Sequence, residues 1–330
     1  MKRETKLFNR SDVQRLMSLS EHIEIVENAF RLHAEGKILS PDLLHIDAEK
    51  GEFHVKAGGL TEPKTYFGLK CNGGFFQNKV NYGLPNIQGL ILLYDGENGS
   101  PLAIFESGDI TIKRTGAATA VAAKYLALKN ADTATICGCG IQGRIQLLSL
   151  CEVRSIKKVF AYDSDAAVSE TFSREMSEQL HVPIISVKDL SGAVGESQIC
   201  VTCTPSKEYF LKEDYLHEGL FIAGIGADSP EKQEIDPRII ASHKVVADIL
   251  EQCAHVGEIH HAIELSLMKK EQVHAELGEI IIGKKTGRES DGEIIVYDAT
   301  GTALQDVAAA AYVYEKSFEE HVGTSFQFPA

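Results

Sequence analysis

The feature that most constrains this chain of 330 residues is one stretch, residues 133–163. It begins with an apolar segment at 135–137, continues into Gly-Cys-Gly-Ile-Gln-Gly at 138–143, and then shows the apolar periodicity of a helix. A second apolar segment at 159–162 ends in Asp163. The glycine pattern alone is weak evidence, but the order strand, glycine turn, helix, strand and acid is typical of a dinucleotide-binding βαβ unit.

Each glycine of this turn has a mechanical role. Gly138 permits the tight turn, Gly140 leaves room for a pyrophosphate beside the backbone, and Gly143 lets the helix pack close to its strand. The start of the helix then presents free N–H groups and the positive end of its dipole to the phosphates. A structural turn that binds no ligand is the alternative interpretation.

Asp163 indicates which dinucleotide is bound. Its carboxylate can accept hydrogen bonds from the ribose hydroxyls of the adenosine, and it repels a 2′-phosphate. Ser164 and Asp165 follow it, so no arginine directly after it compensates for that repulsion. The sequence therefore predicts NAD(H) as the cofactor, with NADP(H) as the alternative.

The charge and the apolar composition exclude several classes of partner. The net charge of −14 provides no electrostatic footprint for nucleic acid or for an anionic membrane. No apolar run reaches the roughly 18 residues of a membrane-spanning helix. The first residues, MKRETKLFNR, lack the apolar core of a signal peptide. We therefore predict a cytoplasmic protein with neither nucleic acid nor membrane as a partner.

The cysteines and histidines indicate neither a disulfide framework nor a metal site. The seven cysteines are an odd number in a long chain predicted to be cytoplasmic. Cys200 and Cys203 have a redox-like spacing, but in a strand, residues three apart point to opposite faces. His260 and His261 are adjacent, and adjacent residues of a helix do not face one ligand. We predict buried thiols, a solvated helix face and no bound metal.

The order of elements predicts two layers of different type. Before residue 110, a helix at 11–36, with Ser20 as its cap, and several strands separated by turns indicate an α+β layer that is mostly antiparallel. Further along, strands alternate with helices, which is typical of a doubly wound parallel sheet. We predict an α/β fold of the Rossmann type with an additional α+β layer, to which the apolar helix after Thr302 returns.

Polar residues at the carboxyl ends of the predicted parallel strands are candidate ligand contacts, because doubly wound sheets bind ligands at those ends. Thr204, Gly226 and Thr300 lie on three such loops, and we expect them to contact the cofactor. Asp228, on the second loop, is a candidate proton donor if burial raises its pKa. A turn-capping aspartate is the alternative role for Asp228.

Two cations lie near the start of a predicted helix at 108–127. Lys113 and Arg114 would oppose the helix dipole there, which favours a functional role over simple surface charge. Reduction of a C=N or C=O bond needs a cation beside the substrate and an acid that protonates the heteroatom. Arg114, Lys70 and Asp228 are the candidates to face a nicotinamide.

Several segments together resemble the ornithine cyclodeaminase/μ-crystallin family, over residues 5–326. They are GLKCNGGF, GLPNIQGLILLYDGENGSPLAIFES, ITIKRTGAATAVAAKYLA, ICGCGIQG, GADSPEKQEID and HAELGEIIIGKKTGRESDGEIIVYDATGTALQDVAAAAYVY. The family includes ornithine cyclodeaminase, an archaeal-type alanine dehydrogenase, ketimine reductases and Δ1-pyrroline-2-carboxylate reductases. The resemblance implies a homodimer with a substrate-binding and dimerisation domain at 1–118 and 303–330, and an NAD(P)-binding Rossmann domain at 119–302.

The resemblance also implies roles for single residues. Lys70 in GLKCN is similar to the family lysine beside the substrate, and Arg114 in KRTG is similar to the arginine that binds the substrate carboxylate. Asp228 in GADSP is similar to the acid or base at the substrate nitrogen. Cofactor contacts are implied for Thr115, Ile141, Gln142 and Asp163.

One departure from the family pattern concerns the substrate carboxylate. Many members carry an additional arginine in the early strands, but here no arginine lies between Arg31 and Arg114. Lys56 is one candidate replacement and His54 is another. A lysine offers a point charge and not the two-pronged grip of a guanidinium.

The resemblance implies an NAD(P)H-dependent reductase of a small cyclic imino acid. The best single prediction is the reduction of Δ1-pyrroline-2-carboxylate to L-proline. The alternatives are an ornithine cyclodeaminase that forms proline and ammonia, an alanine dehydrogenase, and a non-catalytic protein that binds a ligand or NAD(P).

Overall fold

The computed structural model describes residues 4–328. The chain forms two compact units, the first made of residues 1–114 and 302–330 and the second of residues 115–301. The boundary after Arg114 falls inside one continuous helix, Gly108–Leu126. The predicted boundary at residue 118 lies one turn further along this helix. Within residues 4–328, no helix combines the length and apolar character that crossing a membrane requires.

The elements up to the first division follow one another in this order: β1 (Thr5–Phe8), α1 (Arg10–Leu16), α2 (Leu19–Ala34), β2 (Ile38–Ala48), β3 (Gly51–Leu60), β4 (Tyr66–Gly74), α3 (Asn78–Tyr82), β5 (Ile87–Asp95), β6 (Pro101–Glu106) and α4 (Gly108–Leu126).

The second unit continues with β7 (Thr133–Cys137), α5 (Ile141–Val153), β8 (Lys158–Tyr162), α6 (Ala166–Leu180), β9 (Ile184–Ser186), α7 (Leu190–Gly195), β10 (Ile199–Thr202), β11 (Phe221–Gly224), α8 (Pro237–Ser242), β12 (Lys244–Ala247), α9 (Leu250–Val256), α10 (Glu258–Glu264), β13 (Ala275–Glu276), α11 (Leu277–Ile281) and β14 (Ile295–Asp298). The chain returns to the first unit with α12 (Ala303–Glu319) and β15 (Thr324–Phe326).

The first unit is a mixed sheet covered by helices. Its strand order is β15-β1-β6-β5-β4-β3-β2, and only the pairing of β1 with β6 is parallel among its described pairs. Helix α12 packs on the buried face, against β3 and β4. Gly68 permits this packing, because a Cβ there would lie 2.8 Å from Cγ2 of Val307. The predicted α+β layer, completed by the C-terminal helix, is confirmed.

The second unit is a doubly wound parallel sheet with the order β13-β12-β14-β11-β10-β7-β8-β9. All of its pairings are parallel among the described residues. The four strands β7, β10, β11 and β14 are almost entirely buried, which explains their uninterrupted apolar sequences. Strand β7 lies between β8 and β10, so the glycine turn that follows it opens where the strand order reverses.

The predicted helix at 11–36 is wrong in detail, because the chain forms α1 and α2 there. Ser18, not Ser20, caps α2. The carboxylate of Glu21 accepts the backbone N–H of Ser18 at 2.7 Å and the serine hydroxyl accepts the N–H of Glu21 at 3.3 Å, which makes a capping box. Four strands were not predicted from the sequence: β1, β6, β13 and β15.

Candidate active site

A buried cluster of charged side chains lies in the first unit. Lys70 forms an ion pair with Asp306, with 2.7 Å between Nζ and Oδ2, and Arg114 Nε donates to Oδ1 of the same carboxylate at 3.2 Å. Arg114 also donates through Nη1 to Oε1 of Gln305 at 3.0 Å. Lys56 is equally buried and its charge acts on both Lys70 and Asp306. We call Lys56, Lys70, Arg114 and Asp306 the anion cluster, because their three positive charges and one negative charge together suit the binding of an anion.

The register of the first sheet explains why these residues meet. Lys56 on β3 is the direct partner of Lys70 on β4, so both side chains leave the same face of the sheet. Helix α12 lies on that face and supplies Asp306 from its first turn. Arg114 comes from the second turn of α4. Three cations and one carboxylate therefore lie close together, and all four side chains are buried.

Burial and the neighbouring charges shift the pKa values of Lys70 and Asp306 in the anion cluster. Burial lowers the pKa of Lys70 to about 7, against the attraction of Asp306, and the charges of Arg114 and Lys56 lower it as well. Burial tends to raise the pKa of Asp306, but Lys70 and Arg114 outweigh it, so this pKa stays below its usual range. The cluster keeps a surplus of positive charge, which an anionic ligand such as a carboxylate would balance.

Asp306 was not recognised in the sequence, although a signal was available. It lies in a helix whose buried positions are mostly apolar, Ala303, Val307 and Ala310 among them. An acid on the buried stripe of a helix needs a charged partner, and this need was a usable clue. Lys113, in contrast, pairs with Asp109 of its own helix at 2.8 Å, so its charge is accounted for locally.

His54 lies on the same face of β3 as Lys56, two residues before it. Its Nε2 is 3.2 Å from Oε1 of Glu52, and its ring packs edge-on against His45, with 4.5 Å between the ring centroids. The structure thus places His54 in a separate group with Glu52 and His45. Its predicted contact with substrate stays a prediction.

The glycine turn of the second unit has the geometry of an anion cradle. Gly138 has a φ of +99°, and a Cβ there would lie 2.9 Å from the carbonyl oxygen of Cys203. A Cβ on Gly143 would lie 2.1 Å from the carbonyl oxygen of Gly138. Around Gly140, the N-cap of α5, a Cβ would find no atom within 4 Å, and this cap supplies no side-chain hydrogen bond. The N–H groups of Ile141 and its neighbours are thus available to phosphate oxygens.

Asp163 is held at the end of β8 beside this turn. Its Oδ2 accepts the backbone N–H of Cys139 at 2.8 Å, and its Oδ1 accepts the N–H of Asp165 at 3.0 Å. Each carboxylate oxygen has two lone pairs, so both keep capacity for a further donor such as a ribose hydroxyl. The carboxylate is therefore oriented without being saturated.

Glu234 connects the loops after β10 and β11. Its carboxylate accepts the N–H of Thr204 at 2.6 Å and the N–H of Gly226 at 2.9 Å, and it has no exposed surface. Burial raises its pKa to about 7. Thr204 and Gly226 were predicted from the sequence but Glu234 was not, because an acid that accepts hydrogen bonds from backbone N–H groups leaves no spacing pattern.

Two further predicted residues lie in different surroundings. Asp228 pairs with Lys232, 2.6 Å from Oδ1 to Nζ, and its side chain is 36% exposed, so the burial on which its predicted acidity depended is not found in the second unit. Thr300 is buried and donates to Oδ1 of Asp248 at 3.3 Å, while Gln252 donates to its hydroxyl at 2.9 Å.

The cysteines are all free within the described residues. Burial raises the pKa of the Cys203 thiol well above its usual value, and its Sγ lies 3.3 Å from the carbonyl oxygen of Cys137. A thiol in this environment is a poor nucleophile. The geometry thus favours the structural interpretation of the Cys200–Cys203 spacing.

Residues 3–321 match the family model described as Ornithine cyclodeaminase/mu-crystallin family. The chain is 39% identical to the alanine dehydrogenase of Archaeoglobus fulgidus over 331 residues, which cover 98% of this chain and 99% of that protein. It superposes on an archaeal alanine dehydrogenase dimer with bound NAD with a TM-score of 0.93 and 39% identity, covering 99% of this chain and 100% of that one.

A second solved structure is nearly as similar. It is the Δ1-pyrroline-2-carboxylate reductase of Thermococcus litoralis in complex with NADH and L-proline. The TM-score is 0.92 at 35% identity, with 97% of this chain and 99% of that chain covered.

Proposed function

The chain belongs to the ornithine cyclodeaminase/mu-crystallin family, and we propose that within it this protein is an NAD(H)-dependent oxidoreductase that reduces the C=N bond of a small cyclic imino acid. Δ1-Pyrroline-2-carboxylate, which yields L-proline, is the proposed substrate. The observation that carries the proposal is the anion cluster, since its buried surplus of positive charge suits a substrate carboxylate.

In this proposal Arg114 binds the carboxylate. Its Nε and Nη1 are already oriented by Asp306 and Gln305, so the remaining N–H groups of the guanidinium are presented in a fixed direction. Lys56 adds a second positive charge on the same face as Lys70 and takes the role of the missing arginine. Preorganised charges of this kind fix the substrate without reorganisation during the reaction.

Lys70 and Asp228 are the proposed proton-handling groups. A lysine whose pKa is about 7 exchanges its proton readily at neutral pH, which suits a group beside a nitrogen that changes protonation. Asp228 is assigned to the iminium nitrogen by its place in GADSP. A bound reduced nicotinamide would supply the hydride for the imine carbon.

The cofactor proposal follows from the glycine turn and Asp163. The residues fit a dinucleotide, because the turn leaves the N-terminus of α5 uncapped and open, and Asp163 retains acceptor capacity beside it. Gly138, Gly140 and Gly143 would admit the pyrophosphate, and Ile141 and Gln142 would donate backbone N–H groups. Thr115, Thr204, Gly226 and Thr300 are proposed as further contacts. An acid at residue 163 favours NAD(H) over NADP(H).

A homodimer is also proposed, on the outer face of the first sheet. Several apolar side chains stand exposed there, with Leu44, Ile46 and Phe53 on β2 and β3 and Leu90 on β5. They follow one another across paired strands, since Ile46 is the register partner of Phe53. An apolar face of this kind is typical of a subunit interface.

The cytoplasm, which holds NADH, is the proposed location.

Alanine dehydrogenase is the second candidate, favoured by the 39% identity to the Archaeoglobus fulgidus enzyme. It would use the same cluster for the carboxylate of pyruvate, with ammonia as the nitrogen donor.

The test is a substrate panel followed by NADH absorbance. Purified protein is given Δ1-pyrroline-2-carboxylate, its six-membered homologue, pyruvate with ammonia, or ornithine, each with NADH or NADPH in turn and, for ornithine, NAD⁺. The proposal requires NADH oxidation fastest with a cyclic imine. Faster oxidation with pyruvate and ammonia would support the second candidate, and ammonia release from ornithine without net NADH change would indicate a cyclodeaminase. Tight NADH binding without turnover on any member would indicate a binding protein.

A further inference from the structure

A hairpin at the edge of the first sheet brings two histidines and two acids together. His45 on β2 is the direct register partner of His54 on β3, and Asp47 is the partner of Glu52. Residues two apart on a strand share a face, so all four side chains leave the same side of the hairpin. The sequence did not reveal this group, because its two histidines are separated by the whole turn.

The distances within the group are those of a cation site. The candidate ligand atoms of His45, Glu52 and His54 all lie within 4.8 Å of one another. Nε2 of His54 is 3.2 Å from Oε1 of Glu52, and Nε2 of His45 is 3.9 Å from Oε2. Tetrahedral zinc with bonds of about 2.0–2.2 Å holds its ligand atoms roughly 3.4 Å apart, so small side-chain rotations suffice.

The chemistry and charge of the group select the kind of ion. Imidazole nitrogen with carboxylate oxygen is a ligand set for Zn²⁺ and similar first-row ions, and not for Ca²⁺ or Mg²⁺. Glu52 and Asp47 carry two negative charges, which balance a dication when both histidines are neutral. Asp47 lies 3.0 Å from Nε2 of His45 and is highly exposed, so it can rotate to become the fourth ligand or leave that position to water.

Lys56 is the next residue on this face of β3, and its positive charge would repel a bound dication. The carboxylates of Glu52 and Asp47 lie on the same face and offset that repulsion. We propose that His45, Glu52 and His54, with Asp47 or water, bind one Zn²⁺ or a similar divalent transition-metal ion and join β2 to β3. His54 would then bind the metal instead of the substrate carboxylate, and the proposed reduction itself needs no metal.

A second group offers a matched control. His260, His261 and Glu264 on α10 also have candidate ligand atoms within 4.8 Å of one another. His261, however, already contacts the carbonyl oxygen of Lys232 through Nε2 at 2.8 Å, and adjacent helical positions point in different directions. We therefore expect no specific binding at this second group.

The experiment is a Zn²⁺ titration of the full-length, chelator-treated protein, followed by calorimetry and by competition with a chromophoric chelator. The proposal requires one saturable site per chain. The variants His45→Ala and Glu52→Gln should each weaken it by more than about 100-fold, beyond the effect typical of residues that only orient a metal ligand. The variant His260→Ala should leave it unchanged. Circular dichroism and NADH binding establish that each variant is folded.

Spectroscopy with Co²⁺ in place of Zn²⁺ provides a second readout. The proposal requires visible absorption bands typical of nitrogen and oxygen ligands, which His45→Ala abolishes. Absence of saturable binding, binding unaffected by His45→Ala and Glu52→Gln, or binding lost in His260→Ala would each overturn it. Because the titration needs no substrate, its result is independent of the reductase proposal.

Discussion

In the anion cluster of the first unit, the charged groups are paired with side chains, whereas Glu234 and Glu258 of the second unit are bound by backbone N–H groups. Lys70 and Arg114 flank Asp306, and the cluster retains a positive surplus. Glu234 and Glu258 are as deeply buried, yet backbone N–H groups are their donors: those of Thr204 and Gly226 for the first, and those of Glu234 and Ile235 for the second. A surplus of side-chain charge suits a ligand, while backbone-bound acids hold loops in place.

The buried groups of the two units also differ in the direction of their pKa shifts. Burial lowers the pKa of Lys70 to about 7 in the first unit. In the second unit burial raises the pKa of Glu234 to about 7, raises that of Asp298 to about 7, and raises that of Glu258 well above its usual value. Each shift favours the neutral form, but it does so from opposite sides of neutral pH.

The largest expected effect comes from removing the one carboxylate of the anion cluster. Asp306→Asn leaves the positive charges of Lys70 and Arg114 buried without a counter-charge, and should lower the free energy of unfolding by about 3–5 kcal/mol. Urea denaturation at neutral pH measures this. Glu258→Gln, the matched change in the second unit, mimics the protonated acid and should change stability by only about 1 kcal/mol. Equal losses would contradict the comparison.

The pH dependence of stability should differ in sign between the units. The pKa of Glu234 is raised from 4.5 to about 7 in the folded protein. Its contribution to the free energy of unfolding therefore decreases by about 3 kcal/mol as the pH rises from about 4.5 to about 7. Lys70 is lowered from 10.5 to about 7, so stability should rise from neutral to alkaline pH.

Two variants separate these slopes. Glu234→Gln should flatten the acid side, with Asp298 retaining part of the slope, and Lys70→Met should flatten the alkaline side. Denaturation curves at a series of pH values provide the measurement. If Glu234→Gln altered only the alkaline side, the assignment of the acidic slope to the second unit would be wrong.

Exchange of the arginine should affect catalysis more than folding. Arg114→Lys keeps the charge but loses the planar fork, and we expect kcat/KM for the imine to fall by about 100-fold, or roughly 2.7 kcal/mol. Lys113→Arg is the control, because Lys113 pairs with Asp109 on its own helix, and its rate should stay within about twofold. A similar loss in both variants would indicate that charge near α4 matters, and not the guanidinium.

The smallest expected effect concerns cofactor choice. Asp163→Ser removes the carboxylate beside the glycine turn, and should shift the preference for NADH over NADPH by about tenfold, or roughly 1.4 kcal/mol. Steady-state KM values for both cofactors measure it. An unchanged ratio would show that discrimination comes from elsewhere in the second unit.

The sequence predicted the second unit better than the first. The glycine turn and Asp163 follow from local geometry, because a tight turn and a nearby acid leave a pattern within one βαβ unit. Residues that meet through register or through a returning helix leave none, which is why Asp306 and the pairing of His45 with His54 were missed. Glu234 was missed because its partners are backbone groups of two distant loops.

In the proposed function, the anion cluster binds the substrate carboxylate, and the buried acids of the second unit do not. The most direct measurement is the affinity of pyrrole-2-carboxylate, a planar carboxylate analogue, by calorimetry in the presence of NADH. We expect Arg114→Met to weaken this affinity by at least about 100-fold and Glu258→Gln to leave it unchanged. Wild-type affinity in folded, NADH-binding Arg114→Met would contradict it.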